Sequence, residues 1–246
     1  SDMKSGLAVM AFVLGELAES GCVPQKTIVF AGTCDEERGG LGAKEIIKEY
    51  PDLFPELLLI GEPTSCQAGV AQKGCIWLKL SVSGKTSHGA EPWQGINALE
   101  QGFGLLADLR EELKREEHPV LGHSTLQITM AEGGIAPNMT PDRAKFLADI
   151  RIVPPLNEKE VLNRLECLMQ KRCEVYNGGL AFVPEITNYR MPVETGPENQ
   201  WLHRLKGFIG DDAGETGINY FTDASILLTA WPDSPALLFG PGEPQM

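Results

Sequence analysis

The stretch Thr33-Cys34-Asp35-Glu36-Glu37-Arg38-Gly39-Gly40 decides the fold, because it places an acidic cluster between two elements of different kinds. The apolar run 27–32 before the stretch predicts a buried strand, and the helix-forming residues 43–48 after it predict a helix. The acids then lie on a loop at the carboxyl end of a strand, where open α/β sheets place their ligand sites. We therefore predict an α/β fold with a functional site on this loop.

The neighbouring carboxylates of Glu36 and Glu37 repel each other unless a cation or a shared proton holds them together. Gly39 and Gly40 let the backbone turn tightly beside them. A metal ion is the simplest cation that fits. The alternative is a solvated acidic turn, which is the commoner state of an isolated acidic triplet.

The bulk composition excludes several classes of protein. With 246 residues and 42% hydrophobic content, the chain can bury a full core in one large or two small domains. The net charge of -13 disfavours a nucleic-acid partner, because phosphate backbones are bound through stripes of Lys and Arg. No apolar run is long enough for a membrane helix, and no signal peptide is visible. Six cysteines without paired spacing indicate reduced thiols, so we predict a cytoplasmic protein. The acidic net charge makes small molecules its expected ligands.

The first part of the chain alternates helices and strands. Residues 5–21 predict a buried apolar helix, residues 41–50 a second helix and residues 57–60 a second buried strand. Glu62 follows that strand and repeats the pattern of an acid at a strand's carboxyl end. Asp2 stands at the N-terminus of the first helix, where the helix dipole favours an anion, although an ordinary N-cap explains it as well.

The middle of the chain follows a different pattern. Strands and helices alternate there in the order β-α-β-β-α-β, over residues 76–83, 95–117, 124–130, 144–151, 157–173 and 180–187. This is the order of a split βαβ sandwich. The α/β pattern returns after residue 190. We therefore predict a catalytic α/β domain with a mainly parallel sheet over 1–73 and 189–246, interrupted by a ferredoxin-like lid over 74–188.

Seven short motifs allow one further step. They are Asp2-Met3-Lys4-Ser5-Gly6, Asp35-Glu36-Glu37-x-Gly39-Gly40, Gly61-Glu62-Pro63-Thr64, Ser87-His88 with Gly95-x-Asn97-Ala98, Asn138 with Asp149-x-Arg151, Thr222-Asp223-Ala224 and Gly240-Pro241-Gly242. In this order they resemble the co-catalytic zinc amidohydrolase family, which contains acetylornithine deacetylase, succinyl-diaminopimelate desuccinylase, aminoacylase, glutamate carboxypeptidase and several di- and tripeptidases. The resemblance spans the whole chain. It implies a zinc-binding α/β domain interrupted by a ferredoxin-like lid that forms a homodimer.

The resemblance also implies a role for each acid. Asp2 would bridge two zinc ions, and Glu37 and Glu62 would each be a terminal ligand of one ion. Glu36 would be the general base. Three carboxylates neutralise much of the charge of two cations, and two metals can lower the pKa of a shared water towards neutrality. Cobalt or manganese could replace zinc.

The family places one histidine on each zinc, and no histidine of this sequence occupies either position. We interpret His118, His123 and His203 as surface residues. The motif of Asp2 and the loop 240–246 lie at the two ends of the chain, and we expect residues to be missing at both ends. For the same reason we expect the zinc sites of this chain to be incomplete.

In the family, the lid histidine of one subunit stabilises the oxyanion in the active site of the other subunit, and His88 matches that position. Asn138, Arg151 and Thr222 match positions that bind the substrate's carboxylate. The planar guanidinium of an arginine suits that task, because it meets a carboxylate through two hydrogen bonds. The alternatives are a polar loop histidine for His88 and a structural salt bridge for Arg151.

The resemblance implies hydrolysis of the amide bond in a small N-acyl amino acid, as in acetylornithine deacetylase or succinyl-diaminopimelate desuccinylase. An alternative from the same family is a di- or tripeptidase or a carboxypeptidase, which would take short peptides. A metal-free binding relative is the alternative from another class. A cysteine hydrolase with Cys34 as its nucleophile is less favoured, because no histidine lies near Cys34 in the sequence.

Overall fold

The computed structural model describes residues 3–210 and 214–243. The chain divides into two compact units, of which the first is built from both ends, residues 1–72 and 193–246, and the second from residues 73–192. The predicted α/β class is confirmed. Within the described ranges, no helix is long and apolar enough to cross a membrane.

The helices and strands of the described residues follow in chain order. The helices are α1 Lys4–Glu19, α2 Leu41–Glu49, α3 Ala98–Leu113, α4 Glu158–Val175, α5 Gln200–Ile209 and α6 Ala224–Ala230, with a short 3-10 helix over Pro92–Gln94. The strands are β1 Leu58–Ile60, β2 Ala68–Gln72, β3 Gly74–Ser83, β4 Glu117–His118, β5 Gly122–His123, β6 Thr125–Gly133, β7 Arg143–Ile152, β8 Ala181–Arg190, β9 Val193–Glu194, β10 Glu215–Ile218 and β11 Ala236–Leu238.

The first unit is built around a mixed sheet with the strand order β1-β11-β2-β10, in which β9 also pairs with β2. β1 runs parallel to β11 and β2 runs parallel to β10, whereas β11 and β9 run antiparallel to β2. β2 and β11 are fully buried. Ala43 of α2 packs with Leu227 of α6 and with Trp231 in a hydrophobic cluster, so these two helices are joined by apolar contacts.

Two predictions for the N-terminal region are wrong. Residues 27–32 pair with no strand in the described chain, and Ile28 and Phe30 are 52% and 41% exposed. Helix α1 forms as predicted, but it is exposed rather than buried, and Gly6 is its one buried residue. The reason is the same in both cases. Apolar composition favours a strand or a helix, but only a neighbouring element can pair with it or cover it, and the described elements leave this surface open.

The second unit is a four-stranded antiparallel sheet with the order β6-β7-β3-β8, packed against α3 and α4. β3 is the central strand, since it pairs with both β7 and β8 along almost its whole length. The alternation along β3 places Ile76, Leu78 and Leu80 in the core beneath the helices. The predicted β-α-β-β-α-β order is confirmed, and the short hairpin of β4 and β5 is added to it.

The long lid helix is shorter than the predicted range 95–117. The side chain of Asn97 accepts hydrogen bonds from the backbone N–H groups of Leu99 and Glu100, which makes Asn97 the N-cap of α3. Ile96, immediately before the cap, instead pairs with Lys85 through two backbone hydrogen bonds. The helix therefore begins at residue 98, where its first N–H groups have found acceptors.

Candidate active site

The acidic loop before α2 is shaped by Asp35. This residue lies in the left-handed region (φ 64°), and its Oδ2 accepts hydrogen bonds from the backbone N–H groups of Gly39 (2.9 Å) and Leu41 (3.4 Å). Asp35 therefore closes the turn that leads into α2. Glu36 is half-buried and Glu37 is exposed.

Glu62 is buried, with 4% of its surface exposed, on the loop that follows β1. The backbone of this loop touches two other segments. A Cβ atom on Gly6 would clash with the carbonyl oxygen of Gly61, and one on Gly240 would lie 2.6 Å from the carbonyl oxygen of Glu62. Glycine is required at both positions because a side chain would displace the neighbouring backbone. The first turn of α1, the Glu62 loop and the Gly240 loop, which carry three of the sequence motifs, are therefore brought together.

The donor chemistry of this region suits a divalent metal only in part. Carboxylate oxygens such as those of Glu37 and Glu62 are accepted ligands of zinc. Within residues 3–210 and 214–243, however, no three His, Cys, Asp or Glu side chains converge so that they could hold a metal ion. Asp2, the predicted bridging ligand, lies outside the described residues. The described residues alone therefore do not complete a catalytic zinc site, which takes three protein ligands.

One of the three histidines interpreted as surface residues is buried. His118 is 6% exposed in the β4–β5 hairpin, and its Nδ1 accepts hydrogen bonds from the backbone N–H groups of Val120 and Leu121 (3.3 Å each). The surface interpretation of His118 is wrong, because the imidazole satisfies the turn of a hairpin that the sequence pattern did not indicate. His123 and His203 are exposed, as predicted.

Thr222, predicted to bind substrate, is 1% exposed just before α6. Its hydroxyl donates a hydrogen bond to Oε1 of Gln72 (2.6 Å) and accepts one from the backbone N–H of Ala224 (3.1 Å). Gln72 is the last residue of the buried strand β2, and sequence reasoning missed it. The signal in the sequence that could have indicated it is its position, since it is a polar residue directly after the apolar run 68–71.

The lid brings His88 and Asn138 together. The backbone N–H of Gly89 donates to the carbonyl oxygen of Asn138 (2.7 Å), and His88 forms a β-bridge with Met139. Nδ1 of His88 accepts a hydrogen bond from the backbone N–H of Ala90 (3.1 Å). In the neutral imidazole the proton is then on Nε2, so this exposed ring offers one hydrogen-bond donor to a ligand.

Arg151 lies at the opposite end of the lid sheet and makes an ion pair within the lid. Its Nε and Nη2 donate to the two carboxylate oxygens of Asp149 (2.6 and 3.0 Å), and Nε1 of Trp77 donates to the same carboxylate (3.1 Å). The structural salt bridge considered as the alternative is therefore present. Arg151 lies eight positions after Arg143 on β7, and at a rise of about 3.3 Å per residue this is a distance of about 26 Å. His88 and Asn138 lie beyond the Arg143 end.

Cys75 lies opposite Arg151 in the pairing of β3 with β7 and is fully buried. Burial raises the pKa of its thiol to about 11, so the thiol stays protonated at neutral pH and is a poor nucleophile. Burial, together with the nearby charge of Arg151, lowers the pKa of Lys73. The Nζ of Lys73 donates to the carbonyl oxygen of His123 (2.8 Å), which holds the start of β3 against the β5 strand.

Comparisons with known proteins bear on both units. Residues 70–177 match the peptidase dimerisation domain. Acetylornithine deacetylase from Shigella sonnei (strain Ss046) is 29% identical over 252 residues, an alignment that covers 98% of this chain and 62% of the relative. The chain therefore spans about three fifths of the length of that enzyme.

Solved structures show the same fold. Aminopeptidase PepT from Bacillus cereus ATCC 10987 superposes with a TM-score of 0.75 at 20% identity, over 96% of this chain and 62% of that one. A tripeptidase from Staphylococcus aureus superposes with a TM-score of 0.68, also at 20% identity, over 96% and 61% of the two chains. Human carnosine dipeptidase 1 gives a TM-score of 0.53 at 15% identity, over 83% and 57%.

Proposed function

We propose that this protein hydrolyses the amide bond in a small N-acyl amino acid. The chain belongs to the M20 peptidase family and is a homologue of acetylornithine deacetylase. The observation that carries the proposal is the contact among the first turn of α1, the Glu62 loop and the Gly240 loop, because it joins three motifs at one place. The deacetylase relative aligns with nearly the whole chain, and it favours an N-acyl amino acid over a short peptide.

Glu36 is the general base of this proposal. It is half-buried on a turn that the Asp35 side chain holds closed, so the backbone that carries it is held in place. It would take a proton from the attacking water and deliver it to the leaving nitrogen. Asp2, Glu37 and Glu62 would hold two zinc ions, or cobalt or manganese, whose chemistry is to lower the pKa of bound water.

The lid contributes to the reaction from a second copy of the chain. The part of β7 from Arg143 to Arg151 spans about 26 Å, and His88 and Asn138 lie beyond its Arg143 end, so a small substrate cannot touch both Arg151 and this pair within one lid. We propose a homodimer through the lid, in which Nε2–H of His88 donates to the oxyanion that forms in the partner's site. The match of residues 70–177 to a dimerisation domain supports this arrangement.

The proposed setting is the cytoplasm. All six cysteines are free, and a reducing compartment keeps thiols in that state. A net charge of -13 disfavours nucleic acid as a partner, so the proposed ligands are small molecules.

A hydrolysis panel tests the proposal. N-acetyl and N-succinyl amino acids and a set of dipeptides are offered to the purified full-length protein with added Zn²⁺ or Co²⁺, and Glu36→Gln is the matched control. We expect release of the free amino acid from N-acyl substrates and a loss of about 10²- to 10⁴-fold in kcat for Glu36→Gln with its metal content unchanged. Preferred cleavage of dipeptides would favour the peptidase alternative, and unchanged turnover of Glu36→Gln would remove Glu36 from the role of base.

A further inference from the structure

Asn177 and Gly178 lie in the turn between α4 and β8. Asn177 is followed by a glycine, and no other asparagine of the sequence is. Both residues have positive φ angles, 46° for Asn177 and 85° for Gly178, and both are exposed. Asparagine and glycine are the residues that adopt this left-handed conformation most readily. The turn therefore presents an asparagine side chain and the backbone amide that follows it to water.

The backbone nitrogen of Gly178 is not held by the turn. On one side of it, the N–H of Asn177 donates to the carbonyl oxygen of Glu174 (3.5 Å), and on the other the N–H of Gly179 donates to that of Tyr176 (2.9 Å). Within residues 3–210 and 214–243, no hydrogen bond holds the N–H of Gly178 or the side-chain amide of Asn177. A Cβ atom on Gly178 would meet nothing within 4 Å. Rotation about ψ and χ1 of Asn177 can therefore bring this nitrogen to the amide carbon of the side chain.

Two neighbouring asparagines lack this freedom. Asn163 is exposed within α4, where the N–H of the following residue donates to the carbonyl oxygen four positions earlier. Asn188 lies in β8, where it pairs with Trp77, and the side chain of Tyr189 stands beside the next backbone nitrogen. The same side chain is thus in a reactive setting at position 177 and in a protected one at these two positions.

We propose that Asn177 is a site of spontaneous deamidation. The backbone nitrogen of Gly178 forms a bond to Cγ of Asn177, the bond from Cγ to Nδ2 breaks, and the backbone amide proton leaves with the NH₂ group as ammonia. Water then opens the resulting cyclic imide. Opening at Cγ gives aspartate, and opening at the backbone carbonyl carbon gives isoaspartate, in which the side-chain carbon has entered the main chain. Water is the co-reactant, and no oxidant or reductant is needed.

The product introduces a carboxylate two residues beyond the end of α4. The C-terminus of a helix carries a negative partial charge, and Glu174 already places a carboxylate in the last turn. Isoaspartate also lengthens the main chain between the helix and the buried Leu180. There is little room for this, since a Cβ atom on Gly179 would lie 2.8 Å from Cδ1 of Ile96. Both products should therefore destabilise this end of the lid.

Peptide mapping tests the modification. The purified full-length protein is incubated at mildly acidic and at mildly alkaline pH and is then digested with trypsin, which releases residues 173–190 as one peptide. This peptide contains both Asn177 and Asn188, so Asn188 is a matched internal control. We expect conversion at Asn177 alone, and faster conversion at alkaline pH because the attacking nitrogen must lose its proton. Methyl transfer by protein isoaspartate methyltransferase measures the isoaspartate share.

The same digests can overturn the proposal. An intact Asn177 amide after incubation, or conversion no faster than that of Asn188, would show that the turn is not reactive. Conversion that occurs in urea-unfolded protein but not in folded protein would overturn the proposal too, because the folded turn would then protect the amide.

Thermal unfolding tests the consequence for the lid. Asn177→Asp carries the charge of the product from the start, and Asn177→Gly keeps the positive φ without a side-chain amide. We expect Asn177→Asp to lower the Tm by about 1–4 °C. The Tm of the wild type should fall during incubation at alkaline pH, and that of Asn177→Gly should fall less. Equal losses in these two proteins would assign the loss to other sites and overturn the expected destabilisation of the lid.

Discussion

Helices α1 and α3 are both 16 residues long and both contain many apolar residues, but they lie in opposite surroundings. α3 buries six residues against the lid sheet and α4, spaced three or four positions apart for most of its length. α1 buries Gly6 alone, and Phe12 and Val13 are 67% and 55% exposed. The difference teaches that apolar composition predicts a helix, while burial depends on a surface that faces it.

The strands show the same contrast. β3 has a hydrogen-bonded neighbour on each side, and its alternate residues are buried under helices. Residues 27–32 have an equally strand-like composition but pair with no strand in the described part of the chain. A strand is stabilised by its cross-strand neighbours, so its sequence alone does not decide whether it forms.

The largest expected difference between the two helices is in how much the protein's stability falls when one of their apolar side chains is truncated. Leu105→Ala in α3 removes a fully buried side chain and should destabilise the protein by about 2–5 kcal/mol. Phe12→Ala in α1 should change the free energy of unfolding by less than about 0.5 kcal/mol, because Phe12 is mostly exposed. Urea unfolding followed by circular dichroism measures both. A loss of several kcal/mol for Phe12→Ala would show that α1 is covered in solution.

Replacing Gly102 of α3 and Gly15 of α1 by alanine should have opposite effects on the free energy of unfolding. A Cβ on Gly102 of α3 would clash with the ring of Phe146, which is itself buried and packed edge-to-face against Phe103 at 5.0 Å. Gly102→Ala should therefore destabilise by about 1–3 kcal/mol. A Cβ on Gly15 of α1 meets nothing within 4 Å, so Gly15→Ala should stabilise by about 0.5–1 kcal/mol through helix propensity. If both variants changed the free energy of unfolding in the same direction in the same urea titration, the comparison would be contradicted.

One ion pair in each unit should give a smaller difference in stability, and this difference depends on pH. The hydrogen bonds from Arg164 lower the pKa of Glu116 below its ordinary value of 4.5, and both side chains are about three quarters buried. Lys26 and Glu56, in the first unit, form a pair that is more than half exposed. At pH 7, Glu116→Gln should destabilise by about 1 kcal/mol, and Glu56→Gln by less than about 0.5 kcal/mol.

The sign of the pH effect follows from the lowered pKa of Glu116. Its stabilisation is complete above pH 4.5 and is lost as the pH falls through the still lower pKa of the folded state. Wild type and Glu116→Gln should therefore become equally stable in strong acid. Unfolding curves at pH 7 and below pH 4 measure this, and a gap that persists in acid would mean that Glu116 acts through packing rather than charge.

Sequence reasoning predicted the elements that carry a clear local pattern of their own. Alternation along β3 indicated a strand of the lid sheet, and the apolar run before Glu62 indicated that this acid follows a strand, as it follows β1. It failed where a distant partner decides the outcome. The exposure of residues 27–32 and the hydrogen bond between Gln72 and Thr222, which are 150 positions apart, have no local signature. The burial of His118 depends on a turn too short to produce a pattern.

Thiol labelling gives the smallest perturbation, since it changes no residue. Cys22, Cys34 and Cys66 of the first unit are exposed, and Cys75 of the lid is fully buried. Burial raises the pKa of Cys75 from 9.0 to about 11, so at pH 8 about one molecule in a thousand carries the reactive thiolate. The stability that this burial contributes is complete below pH 9 and is lost as the pH rises through 11. With Ellman's reagent at pH 8, Cys22, Cys34 and Cys66, together with the exposed Cys167 of the lid, should react rapidly. Cys75 should react only on unfolding, and Cys75→Ala identifies its share of the signal. If Cys75 reacted as fast as Cys34, the lid sheet would have to open at the end where Arg151 lies. The contrast between the buried lid sheet and the exposed N-terminal region would then be wrong.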